Sequence, residues 1–222
     1  MSKENTLIQR ELATLRRLKG RQRLHYIWDY YKAPLFALVL AVLLIAASVL
    51  FWSADKQTAL SVVLVNAYQE TAGSDPLFAE LLAASGKDPE RDQIEVDANF
   101  KLRFDNATEE DSYTIQALAA LFGMGGMDVF VANKEVFDAY VQKDGFENLA
   151  LWLPPEILEQ NEHRLYRCKD TKGGEIVAGV WMDEDSPLLR RGYYPEPVLL
   201  GIASQAKNIE MAVTITSLLL QG

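Results

Sequence analysis

APLFALVLAVLLIAASVLFWSA, residues 33–54, carries no charged side chain, and Ser48 and Ser53 are its only polar ones. At 1.5 Å rise per residue, about 20 apolar residues span the hydrocarbon core of a bilayer. A helix also satisfies its own backbone hydrogen bonds, which lipid cannot do. The alternative is a helix buried in a large soluble core. An uninterrupted apolar run of this length predicts a transmembrane helix over 33–54. It also exceeds the 7–15 apolar residues of a cleaved signal segment, so the helix is expected to stay as the tether. No cysteine lies just after it, which excludes a lipid-modified N-terminal cysteine.

The chain divides in charge around this stretch. Residues 1–32 hold eight basic residues against Glu4, Glu11 and Asp29, a balance of +5. The rest of the 222-residue chain holds 14 basic and 28 acidic residues, a balance of −14. Lys and Arg close to a span stay on the cytoplasmic side. The expectation is therefore a cytoplasmic arm, a single-pass span in the cell membrane, and an extracytoplasmic domain over 58–222. So acidic a domain repels nucleic acid, and none is expected as a partner. The bilayer is the expected partner of the arm and the span. In the arm, Leu7, Ile8, Leu12, Leu15 and Leu18 predict an amphipathic helix over 5–19 with a basic face, suited to an anionic leaflet. Tyr26, Trp28, Tyr30, Tyr31 and, on the far side, Trp52 read as interfacial anchors.

Beyond the apolar stretch, strand and helix signals alternate. Leu60 and Val62–Val65 form a near-continuous β-branched run, the mark of a strand buried on both faces. Ser74 or Asp75 can cap a helix over 76–84 that begins with Pro76 and stops at Gly86. Residues 93–104 alternate as a second strand. Asp111 or Ser112 opens a helix through Phe122, and the glycines 123–126 end it. That is the reverse of a phosphate loop, which places its glycines before a helix. Met127–Ala132 is a strand, Lys134–Gln142 a helix, 165–168 and 175–182 a hairpin. A short helix at 156–159, a strand at 197–203 and a final helix at 208–220 complete the pattern. The class is α/β with a mostly parallel sheet.

The residues of catalysis are sparse. After the stretch there is one histidine, His163, and one cysteine, Cys168, with no nucleophile motif around them. Zinc needs more His or Cys ligands than these, and Asp183-Glu184-Asp185 is broken by Ser186-Pro187 before it can form a calcium loop. The expectation is a non-enzymatic protein without metal or cofactor. Cys168 has no intramolecular partner. A free thiol and an intermolecular disulfide both remain open.

Gly126–Asn133 (GMDVFVAN), then Glu135-Val-Phe137 and Gly145–Leu149 (GFENL), resemble a passage of the extracellular solute-binding proteins of bacterial ABC importers. Gly201–Ser204 with Lys207–Ala212 (KNIEMA) resembles their returning strand and following helix. The resemblance covers about Thr58–Leu220. It implies one lobe of a type II periplasmic-binding fold, and solute capture with an ABC-type transporter as partner. It departs in two respects. The lobe is preceded by the expected transmembrane helix in place of a lipid anchor. A second lobe would lie between Leu153 and Val198, and only 44 residues separate them, too few for one. The alternative function is an interaction or sensor domain that docks a membrane protein and binds no solute. In open α/β sheets, ligands gather outside the carboxyl ends of the strands. Those ends are read as Asn66–Tyr68, Asn133 and Ser204, with Tyr193-Tyr194 closing over them. Tyr68, Asn133, Trp181 and Asp183 are therefore the expected ligand-binding residues.

Overall fold

The computed structural model describes residues 20–52, 56–68, 75–105 and 108–221, without the side chains of 21–27, 29–31, 35 and 49–52. The arm helix, Ser74, Asn106, and the side chains of Tyr26, Tyr30, Tyr31 and Trp52 lie outside this description. The chain divides into two compact units, at Asp55 and Lys56.

The first unit contains helix α1, Arg21–Trp52, which carries Pro34 inside it. The helix begins twelve residues before the expected span. The expectation of a transmembrane helix ahead of the domain is corrected. Among the described residues no helix is long and apolar enough to cross a membrane. The described apolar side chains of α1 are exposed, from Leu40 at 50 % to Phe36 at 74 %.

The second unit is an α/β domain. Its strands are β1 (Gln57–Leu64), β2 (Asp92–Asp97), β3 (Val129–Ala132), β4 (Leu165–Lys169), β5 (Glu175–Met182) and β6 (Val198–Ile202). They form one sheet in the order β2-β1-β3-β6-β5-β4. The helices are α2 (Pro76–Ala84), α3 (Glu109–Met124), α4 (Lys134–Val141), α5 (Pro155–Gln160), α6 (Pro187–Arg190) and α7 (Ile209–Gln221).

The sheet is mixed, which corrects the mostly parallel expectation. β1 runs parallel to β2 and β3, whereas β3/β6, β6/β5 and β5/β4 are antiparallel. The physical reason lies in the connections. A parallel return needs a full crossover, usually a helix of several turns. Residues 183–197 between β5 and β6 supply only the four-residue α6. The interval that would hold a second lobe is occupied by α5, the β4–β5 hairpin and α6, and the hairpin joins the sheet through β6.

Two cores cover the two faces. On one, α2 and α7 pack Leu77, Phe78, Leu81, Ile215 and Leu219 against Leu60, Val62, Leu64, Val129, Val131, Leu200 and Met182. On the other, α3 and α4 pack Leu118, Phe122, Val136, Phe137 and Tyr140 against Val63, Phe130, Ala132 and Leu199. The second core is aromatic: Phe137 stacks on Phe146 at 4.1 Å and Phe122 on Tyr140 at 4.7 Å. Gly179 and Gly201 make room for it, because a Cβ on either would lie within 2.8 Å of the Phe137 ring.

The helix ends follow capping chemistry. Asp75 caps α2 through the amide of Leu77. α3 starts earlier than expected. Thr108 is its cap and Asp111 its third residue, in a reciprocal capping box. Gly125 ends α3 in the left-handed region, where an added Cβ would lie only 2.5 Å from the Gln205 carbonyl oxygen. Residues 98–104 do not extend β2. Ala98 and Leu102 are buried, but the segment bonds to Asn66 instead of to a strand: Asn66 Nδ2 donates to the Leu102 carbonyl, and the Leu102 amide to Asn66 Oδ1.

Candidate functional site

The connections fix where the sheet offers a crevice. The chain leaves β1 through α2 on one face toward β2, and leaves β2 through α3 on the other face toward β3. β1 and β3 are adjacent, so the strand order reverses between their carboxyl ends, where open α/β sheets hold ligands. In this domain that place is filled from within. The Tyr194 hydroxyl lies 3.0 Å from the Val65 carbonyl and 3.2 Å from that of Val131. Both Tyr193 and Tyr194 are buried, and burial pushes the Tyr194 phenol well above its ordinary pKa. The Tyr68 amide donates to the Tyr193 carbonyl, which ties the β1 exit to the same loop. Asn66, at φ 62°, turns the chain away directly after β1. The loop pair expected to close over the strand ends instead enters between them.

The four expected site residues have separate local duties. Asn133 caps α4, its side-chain oxygen accepting from the Val136 amide. Asp183 pairs with Arg164 at 2.8 Å. Trp181 is half-buried on β5, edge-on to Tyr166 at 6.1 Å. Tyr68 is 71 % exposed. The register brings Asn133 and Trp181 toward one another, since Ala132 pairs with Leu199 and Leu199 with Trp181. Among the described residues no hydrogen bond, ion pair or ring contact joins any two of the four, and none of them lines a described cavity. Ser204 is corrected outright. β6 is antiparallel, so its exit lies beside the amino end of β3, where the Ala203 amide donates to the Asp128 carbonyl.

Beside Asn133 and Trp181 the structure shows a polar cluster that the sequence reading missed. Lys134 and the Tyr166 hydroxyl each approach one oxygen of Asp138 at 2.5 Å, and Lys134 lies 3.1 Å from the Tyr166 oxygen. The bonds to Asp138 and Tyr166 hold Lys134 charged, above the ordinary lysine range. Burial, then Asp138, raises the Tyr166 phenol. Burial also raises the Cys168 thiol. Activation of a nucleophile needs the opposite shifts, a lowered lysine or thiol. As arranged, the cluster is suited to polar and aromatic contact with a partner. The i,i+4 spacing of Lys134 and Asp138 on a helix was the available signal. Tyr166, far off in sequence, gave none.

A second missed residue sits at the opposite end of the same strands. Asp128 is 2 % exposed and accepts from the amides of Ser61, Lys207 and Asn208 and from Asn208 Nδ2. It pins β1 and the entry of α7 to the start of β3. A lone acid before an apolar strand was the signal. Among the described residues no group of His, Cys, Asp and Glu could hold a metal ion. No protein-family model, no curated protein and no solved structure matches this chain.

Proposed function

We propose that this chain is a non-catalytic interaction or sensor domain that docks a membrane protein partner and is held at the bilayer by the exposed apolar surface of α1. One observation carries the reading: the Tyr194 hydroxyl occupies the crevice between β1 and β3, where a solute would otherwise bind. The docking surface is the carboxyl edge around Asn133, Lys134, Tyr166 and Trp181, with Tyr68 exposed beside the β1 exit. Aromatic rings with a polar edge are enriched in such contacts. On α1, Phe36, Leu38, Leu43 and Ile45 are all at least 60 % exposed, and a continuous apolar surface of that kind favours lipid or an apolar partner.

Solute capture with an ABC-type transporter is the second reading. It is favoured by the returning strand β6, which enters beside β3 and leads into α7, in the order the resemblance implies. Against it stands the hairpin that occupies the interval of the second lobe.

Native mass spectrometry of the full chain, extracted from its membrane, separates the two. The expected result is a complex with one membrane protein in fixed stoichiometry, weakened by Trp181→Ala and unchanged by Lys87→Glu. A small solute retained by the chain and lost in Tyr68→Ala or Trp181→Ala overturns docking in favour of capture.

A further inference from the structure

At the amino ends of the strands, opposite the filled crevice, the domain has an open groove of about 590 Å³. That volume lies in the range of small-molecule sites. Its apolar lining is Ala59, Ile209 and Met211, all half-buried. Four charged side chains stand around it: Lys87 and Lys207, Asp92 and Glu210. Opposite charges on one rim ordinarily pair, but among the described residues none of the four forms an ion pair or a side-chain hydrogen bond. They are set around the groove instead of against each other.

We propose that this groove binds a small zwitterion with an apolar body, its anionic group between Lys87 and Lys207 and its ammonium between Asp92 and Glu210. The two signs balance, so a ligand of no net charge satisfies the rim. A bare anion would leave two carboxylates facing it. The entry to α7 does not supply the anion site, because the amides of Lys207 and Asn208 already donate to Asp128. The lysine side chains must therefore do so. A free amino acid and the headgroup of phosphatidylethanolamine share this chemistry. The assignment rests on the groove alone and stands or falls independently of partner docking at the other end of the sheet.

Calorimetric titration of the full chain in nanodiscs tests it, with leucine and glycerophosphoethanolamine as probes. One set of discs contains only phosphatidylcholine, whose quaternary nitrogen donates no hydrogen bond, and the other contains phosphatidylethanolamine. Saturable one-to-one binding in both sets assigns a soluble ligand. Binding in phosphatidylcholine discs that disappears in phosphatidylethanolamine discs assigns the lipid headgroup. In either case Lys87→Glu with Lys207→Glu is expected to weaken binding by about tenfold or more, with the melting temperature unchanged. Asp92→Asn should weaken it less, having removed one charge. No binding in either set of discs, or binding indifferent to the charge reversal, overturns the proposal.

Discussion

The two ends of β1 and β3 are closed by opposite chemistry. At the carboxyl end a phenol supplies one donor near two carbonyls, Val65 and Val131. At the amino end the oxygens of Asp128 accept from three amides and a side-chain nitrogen. The difference lies in what removal leaves behind. Val131 O also accepts from the Val65 amide, so without Tyr194 only the Val65 carbonyl loses its donor. Without Asp128, several donors at the entry of α7 and on β1 are left unpaired in a partly buried place. An orphaned buried donor costs about 1–3 kcal/mol, more than a typical net hydrogen bond contributes. The amino end is therefore the structural one, and the carboxyl end is a closure whose hydroxyl serves a single otherwise unpaired acceptor.

Substitutions break or sharpen this contrast. Asp128→Ala is expected to destabilise the domain by about 3–5 kcal/mol, read by chemical denaturation, because three amides lose their acceptor together. A loss below about 1 kcal/mol would put the two ends on equal terms. Phe130→Ala, midway between them on β3 and fully buried against Phe122, Tyr140 and Phe146, should also cost about 3–5 kcal/mol. Tyr194→Phe removes the hydroxyl and keeps the ring, and should cost only about 1 kcal/mol. A loss comparable to Asp128→Ala would show that the carboxyl end is the structural pin.

The smallest effect appears only in acid. Asp111 accepts from the amides of Thr108 and Arg103, which lower its pKa from an ordinary 3.8 to about 2. Its contribution is fully present above about pH 4 and is lost as pH falls through about 2, since the unfolded chain takes up the proton first. Asp111→Asn should flatten the dependence of melting temperature on pH in that window. An unchanged slope would remove Asp111 as its source.

The same contrast explains what could be read from the residues. Faces were readable: the β-branched run at 62–65, Pro76 with Gly86 around α2, and the apolar spacing of α4 all correspond to the structure. Direction was not, because alternation records which face a side chain takes and not which way the strand runs. One consequence was the misplacement of Ser204. The alternation of 93–104 continued past Asp97 for a related reason. Ala98 and Leu102 are buried without any ladder, and burial is all that periodicity reports. The Thr108 cap was missed because Asp111, three residues on, is the other half of the same box. At the site, Asn133 and Asp183 were identified by polarity, but the fold uses one as a cap and the other as an ion-pair partner. Tyr166 and Tyr194 depend on contacts across 28 to 129 residues of sequence, which no local pattern encodes.

The position of β6 has a consequence for how the domain comes together. It is the last strand in sequence, yet it lies in the middle of the sheet, between β3 and β5. β1, β2 and β3 can associate as they emerge, and β4 can fold back on β5 as a local hairpin. Neither piece can join the other until residues 198–202 arrive. Until then the free edges of β3 and β5 are apolar and unpaired, the kind of edge that recruits neighbouring chains. A chain interrupted shortly before Val198 would thus be two sticky fragments, prone to clump, and completion of the sheet waits on its latest-made strand.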